Sequence, residues 1–229
     1  MTTSAWVVIV AAGKEEMLGP EIATAFLNLQ NQPILSYSLT ACEHCPDVEN
    51  VVIVAPRERL EHVVSIVQLF GCHKIRKIVP GGATQLASFQ NGMKYVDENA
   101  RVVVMHVASC PGVSVKDLTE VTKAAKKHGI AVTGKPITDD IVLTDKSHGV
   151  GEYLAAGSVW RYGSPMAFTS TALQKALKAA TKKKKSLKTL LEVVVTANQK
   201  PTLVETERVI NKIGTLEQYR MIERIGLHD

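Results

Sequence analysis

Short runs of β-branched residues alternate with segments of helical period along most of the chain. Trp6 to Val10 is an apolar run that ends in Ala11-Ala12-Gly13. Residues Pro33 to about His44 have helical spacing, and Val51 to Val54 is the next run. Arg57 to Phe70 predicts a helix with Leu60, Val63, Val64, Val67 and Phe70 on one face. Ile75 to Val79 predicts a third strand, Thr84 to Val96 a helix, and Val102 to Met105 a fourth strand. Val115 to His128 predicts a helix stopped by Gly129, and Ile130 to Thr133 a fifth strand. The rhythm then breaks. Residues 136–158 hold short alternating runs rich in Thr, Asp, Gly and Ser, which predicts an extended hairpin or arm. Helices over about Ser170 to Ala180 and Ser186 to Thr196, a strand near Leu203 and a helix over Leu216 to Ile225 complete the pattern.

Continuous apolar strands separated by helices imply a mostly parallel sheet with helices on both faces. No repeat or linker divides the chain, so residues 1–229 are expected to form a single α/β domain with a protruding β-arm. Ligands of such sheets bind at the carboxyl ends of the strands. Those ends are Ala11-Ala12-Gly13, Pro80-Gly81-Gly82 and His106 to Pro111. Small residues let backbone N–H groups approach an anion closely. Neither glycine loop is a P-loop or a G-x-G-x-x-G motif. Ser88, in the helix after the second loop, is placed to reach a base or ribose.

Composition narrows the classes. The 229 residues are 45% hydrophobic and 21% charged, which excludes disordered and fibrous chains. No apolar run has the roughly 18–20 residues of a membrane span, and no basic flank precedes Trp6, so a cytoplasmic location is expected. Four cysteines are too few for a disulfide framework in a chain of 229 residues. The net charge of +5 favours anionic partners in general, but aromatics at 5% do not interleave with the basic residues. No nucleic-acid or membrane partner is expected.

At its loops the chain resembles the 2-C-methyl-D-erythritol 4-phosphate cytidylyltransferases. These enzymes of non-mevalonate isoprenoid synthesis have the nucleotide-diphospho-sugar transferase fold, a Rossmann-like relative of the GT-A type. A sister group makes CDP-ribitol. The similarity spans nearly the whole chain. Val7-Val-Ile-Val-Ala-Ala-Gly13 matches the opening strand and glycine loop. Phe26-Leu-Asn-Leu29 and Gln32-Pro-Ile-Leu35 match the entry to the first helix. Val51 to Val54 matches the second strand. Gly81-Gly82, Ser88 and Gly92-Met93 match G-G-x-x-R-x-x-S-V-x-x-G-L, and His106 to Pro111 matches H-D-A-A-R-P. Trp160 to Phe168 matches the region around T-P-Q-x-F. The resemblance implies CTP and a polyol phosphate as substrates, Mg²⁺ as cofactor and a homodimer joined through the arm.

The family's charges do not carry over. Its loop Arg is Met17 here, and its P-K-Q step is Ala23, Thr24 and Ala25. Glu15 and Glu16 enter the same loop. The metal-holding Asp is Val107, the Arg of the same motif is Cys110, and the Arg after the second glycine loop is Gln85. The D-R pair of the arm aligns with Ala155 and Ala156, and T-D-E with Lys185, Ser186 and Leu187. The family positions that persist imply nucleotide contacts at Ala11, Ala12, Gly13, Gly81, Gly82, Ser88 and Ala108, with Lys14 and Gln85 beside them. They imply substrate-phosphate contacts at Ser164 and Lys212. Nucleotidyl transfer rests on positioning and electrostatics, and losing one charge donor costs about 2.7–4 kcal/mol. Several are absent together, and each glutamate would repel a phosphate by about 1–4 kcal/mol at an effective dielectric near 20. No catalytic residue, metal site or cofactor is therefore expected, with Mg²⁺ required only if the chain is active.

Three readings follow. One is an inactive pseudoenzyme with an interaction or regulatory role, including a mixed dimer with an active relative. The second is a nucleotidyltransferase with a rebuilt site using Lys14 and Lys212. The third is a sensor that binds a nucleotide or sugar phosphate without turnover. Other features take plainer readings. Cys42-Glu-His-Cys45, with Cys72-His73 as the only second pair, is read as ordinary thiols at a helix end. His106 is read as a partly buried structural residue and Cys110 as a small filler. Lys182 to Lys185 is read as a solvated loop and Asp139-Asp140 as hairpin-turn chemistry.

Overall fold

A computed structural model of the chain describes residues 4–19, 22–182, 186–206 and 212–227. The strands of its main sheet are β1 (Ala5–Val10), β2 (Val48–Ala55), β3 (Ile75–Pro80), β4 (Val102–Val107), β5 (Ile130–Pro136), β8 (Trp160–Thr169) and β9 (Thr202–Glu205). The arm is the antiparallel pair β6 (Ile141–Thr144) and β7 (Val150–Leu154). The helices are α1 (Ile34–His44), α2 (Leu60–Leu69), α3 (Gln85–Met93), α4 (Val115–His128), α5 (Ser170–Lys182), α6 (Leu190–Thr196) and α7 (Leu216–Ile225).

The sheet order is β9-β5-β8-β4-β1-β2-β3. All neighbours are parallel except at β8, which runs antiparallel to both β4 and β5. Every residue of β1 is buried because helices cover both faces. Val7 and Ile9 face one core with Leu35 and Leu39 of α1, Val63 of α2, and Leu118 and Val121 of α4. Val8 and Val10 face the other core with Phe89 of α3, Leu173 of α5 and Val193 of α6. Consecutive residues thus serve opposite cores, which is why the run shows no polar alternation. From β1 the chain winds one way to β2 and β3, then crosses back to β4 on the other side of β1. That reversal opens a crevice at the carboxyl ends of β1 and β4.

The expected strand and helix order is present, with three differences. β8 was not expected as a strand. Its Gly163-Ser164-Pro165 looks like punctuation, and the pairing with β5 slips between Tyr162 and Met166, across those residues. Val64 is 42% exposed, whereas Val63 and Ile66 are buried, so α2 turns a different edge inward. α6 starts at Leu190 instead of Ser186, since Thr189 accepts from the Glu192 N–H and Glu192 from the Thr189 N–H. That capping box sets the boundary. The run Lys182 to Lys185 lies largely outside the described residues. Asp140 accepts the Ala156 N–H across the base of the arm, and Asp145 accepts Ser147 and Gly149 N–H groups at its tip. No helix among the described residues is long and apolar enough to cross a membrane.

Candidate functional site

Three loops converge on the crevice, and glycine makes the convergence possible. Gly13 has φ +116°, and a Cβ there would lie 2.7 Å from the Gln85 nitrogen. A Cβ on Gly81 would lie 2.3 Å from the Ala12 Cβ. The loop after β1 therefore sits directly on the start of α3. Its backbone then makes a single 3-10 turn over Lys14–Glu16, closed by the Glu16 N–H on the Gly13 carbonyl.

That turn drives Glu16 inward, where it is 1% exposed. Three donors meet its carboxylate. Lys212 Nζ donates at 2.8 Å, Ser109 Oγ at 2.6 Å and Gln85 Nε2 at 3.2 Å. Lys212 Nζ also donates to the Glu15 carbonyl at 2.6 Å. The Ile213 N–H on the Ser109 carbonyl pins the lysine's own segment to the loop after β4. Burial raises the Glu16 pKa, and the attraction of Lys212 and its three hydrogen bonds oppose that rise.

Glu15 acts on the same place from the other side. Its Oε2 accepts the Gln85 N–H at 2.8 Å, the first free donor of α3. The Leu86 N–H goes to the Lys188 carbonyl and the Ala87 N–H to the Thr84 hydroxyl. The first turn of α3 thus has its donors satisfied within the chain. A helix N-terminus next to a glycine loop normally suits an anion. Here the Glu15 carboxylate takes that role, and Glu16 lies beside it on the Gln85 side-chain amide.

The other expected contacts divide in the same way. Ala11, Ala12 and Ala108 are buried around the crevice. The Ser88 hydroxyl accepts the Gly82 N–H at 3.0 Å and is fully buried, so it braces the second loop. Ser164 Oγ accepts the Val107 N–H and bonds His106 Nδ1, both within 2.9 Å. Lys14 is exposed, and its N–H meets the Ala83 carbonyl. Met17 lies in a two-residue strand paired with Ile22–Ala23. Thr24 is buried, and its hydroxyl has no hydrogen-bond partner among the described residues. Ala155 and Ala156 lie exposed on the arm. The sequence did not reveal the role of Ser109 or the Glu16–Lys212 pair. The adjacent glutamates and the persisting lysine were the only signals.

His106 is completely buried, not partly buried as expected, and it bridges Ser164 with Ser38, whose Oγ is 2.9 Å from Nε2. Burial lowers its pKa to about 3. Burial and the Glu16 charge push the Cys110 thiol up to about 12, which makes it unreactive. Cys42, Cys45 and Cys72 are also buried and free. Lys74 donates to the Cys42 and Cys45 carbonyls and so caps the end of α1. No group of three or more His, Cys, Asp or Glu side chains among the described residues is placed to hold a metal. Glu15 and Glu16 do not fit Mg²⁺, because their carboxylates already accept from α3, Ser109 and Lys212.

Beside this cluster lies a cavity of about 600 Å³ lined by Met105, Val107, Cys110, Met166, Leu191 and Met221 among others. A larger hollow of about 980 Å³ lies at the amino ends of the strands, walled by side chains of both charge signs, including Glu49, Arg76, Asp97 and Arg101. It is remote from the glycine loops.

The 2-C-methyl-D-erythritol 4-phosphate cytidylyltransferase family matches residues 5–225. The chain belongs to that family. It is 27% identical over 175 residues to the 2-C-methyl-D-erythritol 4-phosphate cytidylyltransferase of Alkaliphilus metalliredigens, covering 76% of this chain and 73% of the relative. It is 30% identical over 178 residues to that of Pelotomaculum thermopropionicum, covering 77% and 75%. The fold agrees with the crystal structure of 4-diphosphocytidyl-2C-methyl-D-erythritol synthase from Anaerococcus prevotii, with a TM-score of 0.83, 17% identity and coverage of 96% and 97%. The Thermus thermophilus cytidylyltransferase gives 0.71 at 21% identity, covering 98% of each chain. This cytidylyltransferase fold therefore carries, at its crevice, a set of side chains that engage one another.

The buried imidazole makes stability depend on pH with a definite sign. A neutral His106 in the fold has a lowered pKa, so the unfolded chain binds the extra proton between about 6.5 and 3. The His106 contribution to stability is expected to fall as pH falls through that window, while Glu16, whose pKa burial raises, contributes with the opposite sign. Urea unfolding followed across it, with NMR titration of the ring, checks this. A His106 signal titrating near its ordinary value would contradict it.

Proposed function

We propose that this member of the cytidylyltransferase family does not catalyse nucleotidyl transfer and acts through binding or interaction. The observation that carries the reading is the buried Glu16 carboxylate held by Lys212, Ser109 and Gln85, with Glu15 on the α3 N-terminus. Catalysis of this type needs positive charge free to follow the reacting phosphate. Lys212, the cation best placed for it, is committed to Glu16, and the nearby helix donor is committed to Glu15. An active enzyme with a rebuilt site would need those partners broken before any phosphate was gripped.

A subunit partner fits the same reading. Val142, Leu143, Val150 and Tyr153 on the arm are each at least 45% exposed. An apolar arm of that kind suits a second copy of this chain or of an active relative. The four free cysteines agree with a reducing compartment such as the cytoplasm.

The purified chain should release no pyrophosphate above background from CTP and Mg²⁺ with sugar or polyol phosphates. Calorimetry should find no CTP binding at micromolar concentration. Mg²⁺-dependent turnover would overturn the reading. Sedimentation should give a dimer that Val150→Lys with Tyr153→Lys converts to monomer; a monomeric parent chain would remove the arm from the account.

A further inference from the structure

The cavity beside the carboxylate cluster has the size of a small-molecule site, about 600 Å³. Its floor is built by the sheet. Met105 and Val107 are two apart on β4 and share a face, and Met166 of β8 pairs with Met105. Cys110 closes the end of the floor, and all four side chains are at most 5% exposed. Leu191 of α6 and Met221 of α7 form the opposite side, with Met221 43% exposed at the mouth. Three methionines on one cavity give an adaptable apolar surface.

The charges on the wall cancel. Glu15 and Glu217 line it together with Arg161 and Lys212, two charges of each sign, and Lys212 is paired with Glu16. A polyanion entering here would lose its hydration without a surplus of positive charge to replace it. An apolar molecule can lie on the floor and against Leu191 and Met221 and needs no such surplus, because it brings no charge of its own. Val107 and Cys110, where the resembling enzymes have an Asp and an Arg, convert a charged floor into an apolar one.

We propose that this cavity binds an uncharged, largely apolar small molecule in place of a nucleoside triphosphate. The proposal rests on the reading that the anion site is closed from within. It makes the protein a binder of apolar ligands on a nucleotidyltransferase scaffold.

N-phenyl-1-naphthylamine, a neutral fluorescent probe, tests it on the intact chain. Its emission should rise saturably, with one probe per chain, and Mg²⁺–CTP should not displace it. Val107→Asp and Met221→Glu should each weaken binding about tenfold or more by placing a charge against the probe. Met221→Leu should retain it. Met221 is at the surface, so that pair stays informative if Val107→Asp fails to fold. No saturable rise, or a rise that both charged variants leave unchanged, overturns this proposal alone. Displacement by CTP accompanied by CTP turnover overturns the reading on which it rests.

Discussion

A carboxylate enclosed by protein must be met by donors, and the crevice of this molecule is organised around that requirement. Glu16 is 1% exposed and receives an ammonium, a hydroxyl and an amide from three separate parts of the chain. Removing one partner of a buried ion pair typically costs on the order of 3–5 kcal/mol. The contact therefore couples the loop after β1, the loop after β4, the first turn of α3 and the segment leading into α7. Gly13 and Gly81 allow the loops to approach closely enough for the contact to form.

The same contact decides the chemistry of the crevice. An anion-binding loop normally leaves its N–H groups and cations turned toward an open space. Here a helix donor, a lysine and a serine turn toward the chain's own carboxylates. What is left open beside them has an apolar floor of Met105, Val107, Cys110 and Met166 and a wall that carries Glu15, Arg161, Lys212 and Glu217. The sheet that carries these loops is the one shared with the family, so the crevice differs in its side chains and not in its frame.

The fold was legible because its strands are buried on both faces and read as uninterrupted apolar runs. Trp6 to Val10 and Val102 to Val107 owe that pattern to the two helix layers they separate. The strand over Trp160–Thr169 was hidden by Gly163 and Pro165, which sit where its pairing with Ile130–Pro136 slips. The neutral residues Met17, Val107 and Cys110 at the loops could be read position by position. The pairing of Glu16 with Lys212 could not, since the two are 196 residues apart and only tertiary packing joins them. Sequence reasoning treated the two glutamates as charges that would repel a phosphate. In the fold they are ligands of the site itself, and Ser88 and Ser164 likewise serve neighbouring backbone groups.

The central claim is that these carboxylates stand in for a bound anion, so that pyrophosphate reaches the same donors only once they are removed. The measurement is the melting temperature of the parent chain and of the Glu15→Ala, Glu16→Ala double variant, each titrated with pyrophosphate. The account predicts a variant less stable than the parent and raised by millimolar pyrophosphate, with the parent unresponsive. A parent chain stabilised as much as the variant, or a folded variant indifferent to pyrophosphate, would contradict it.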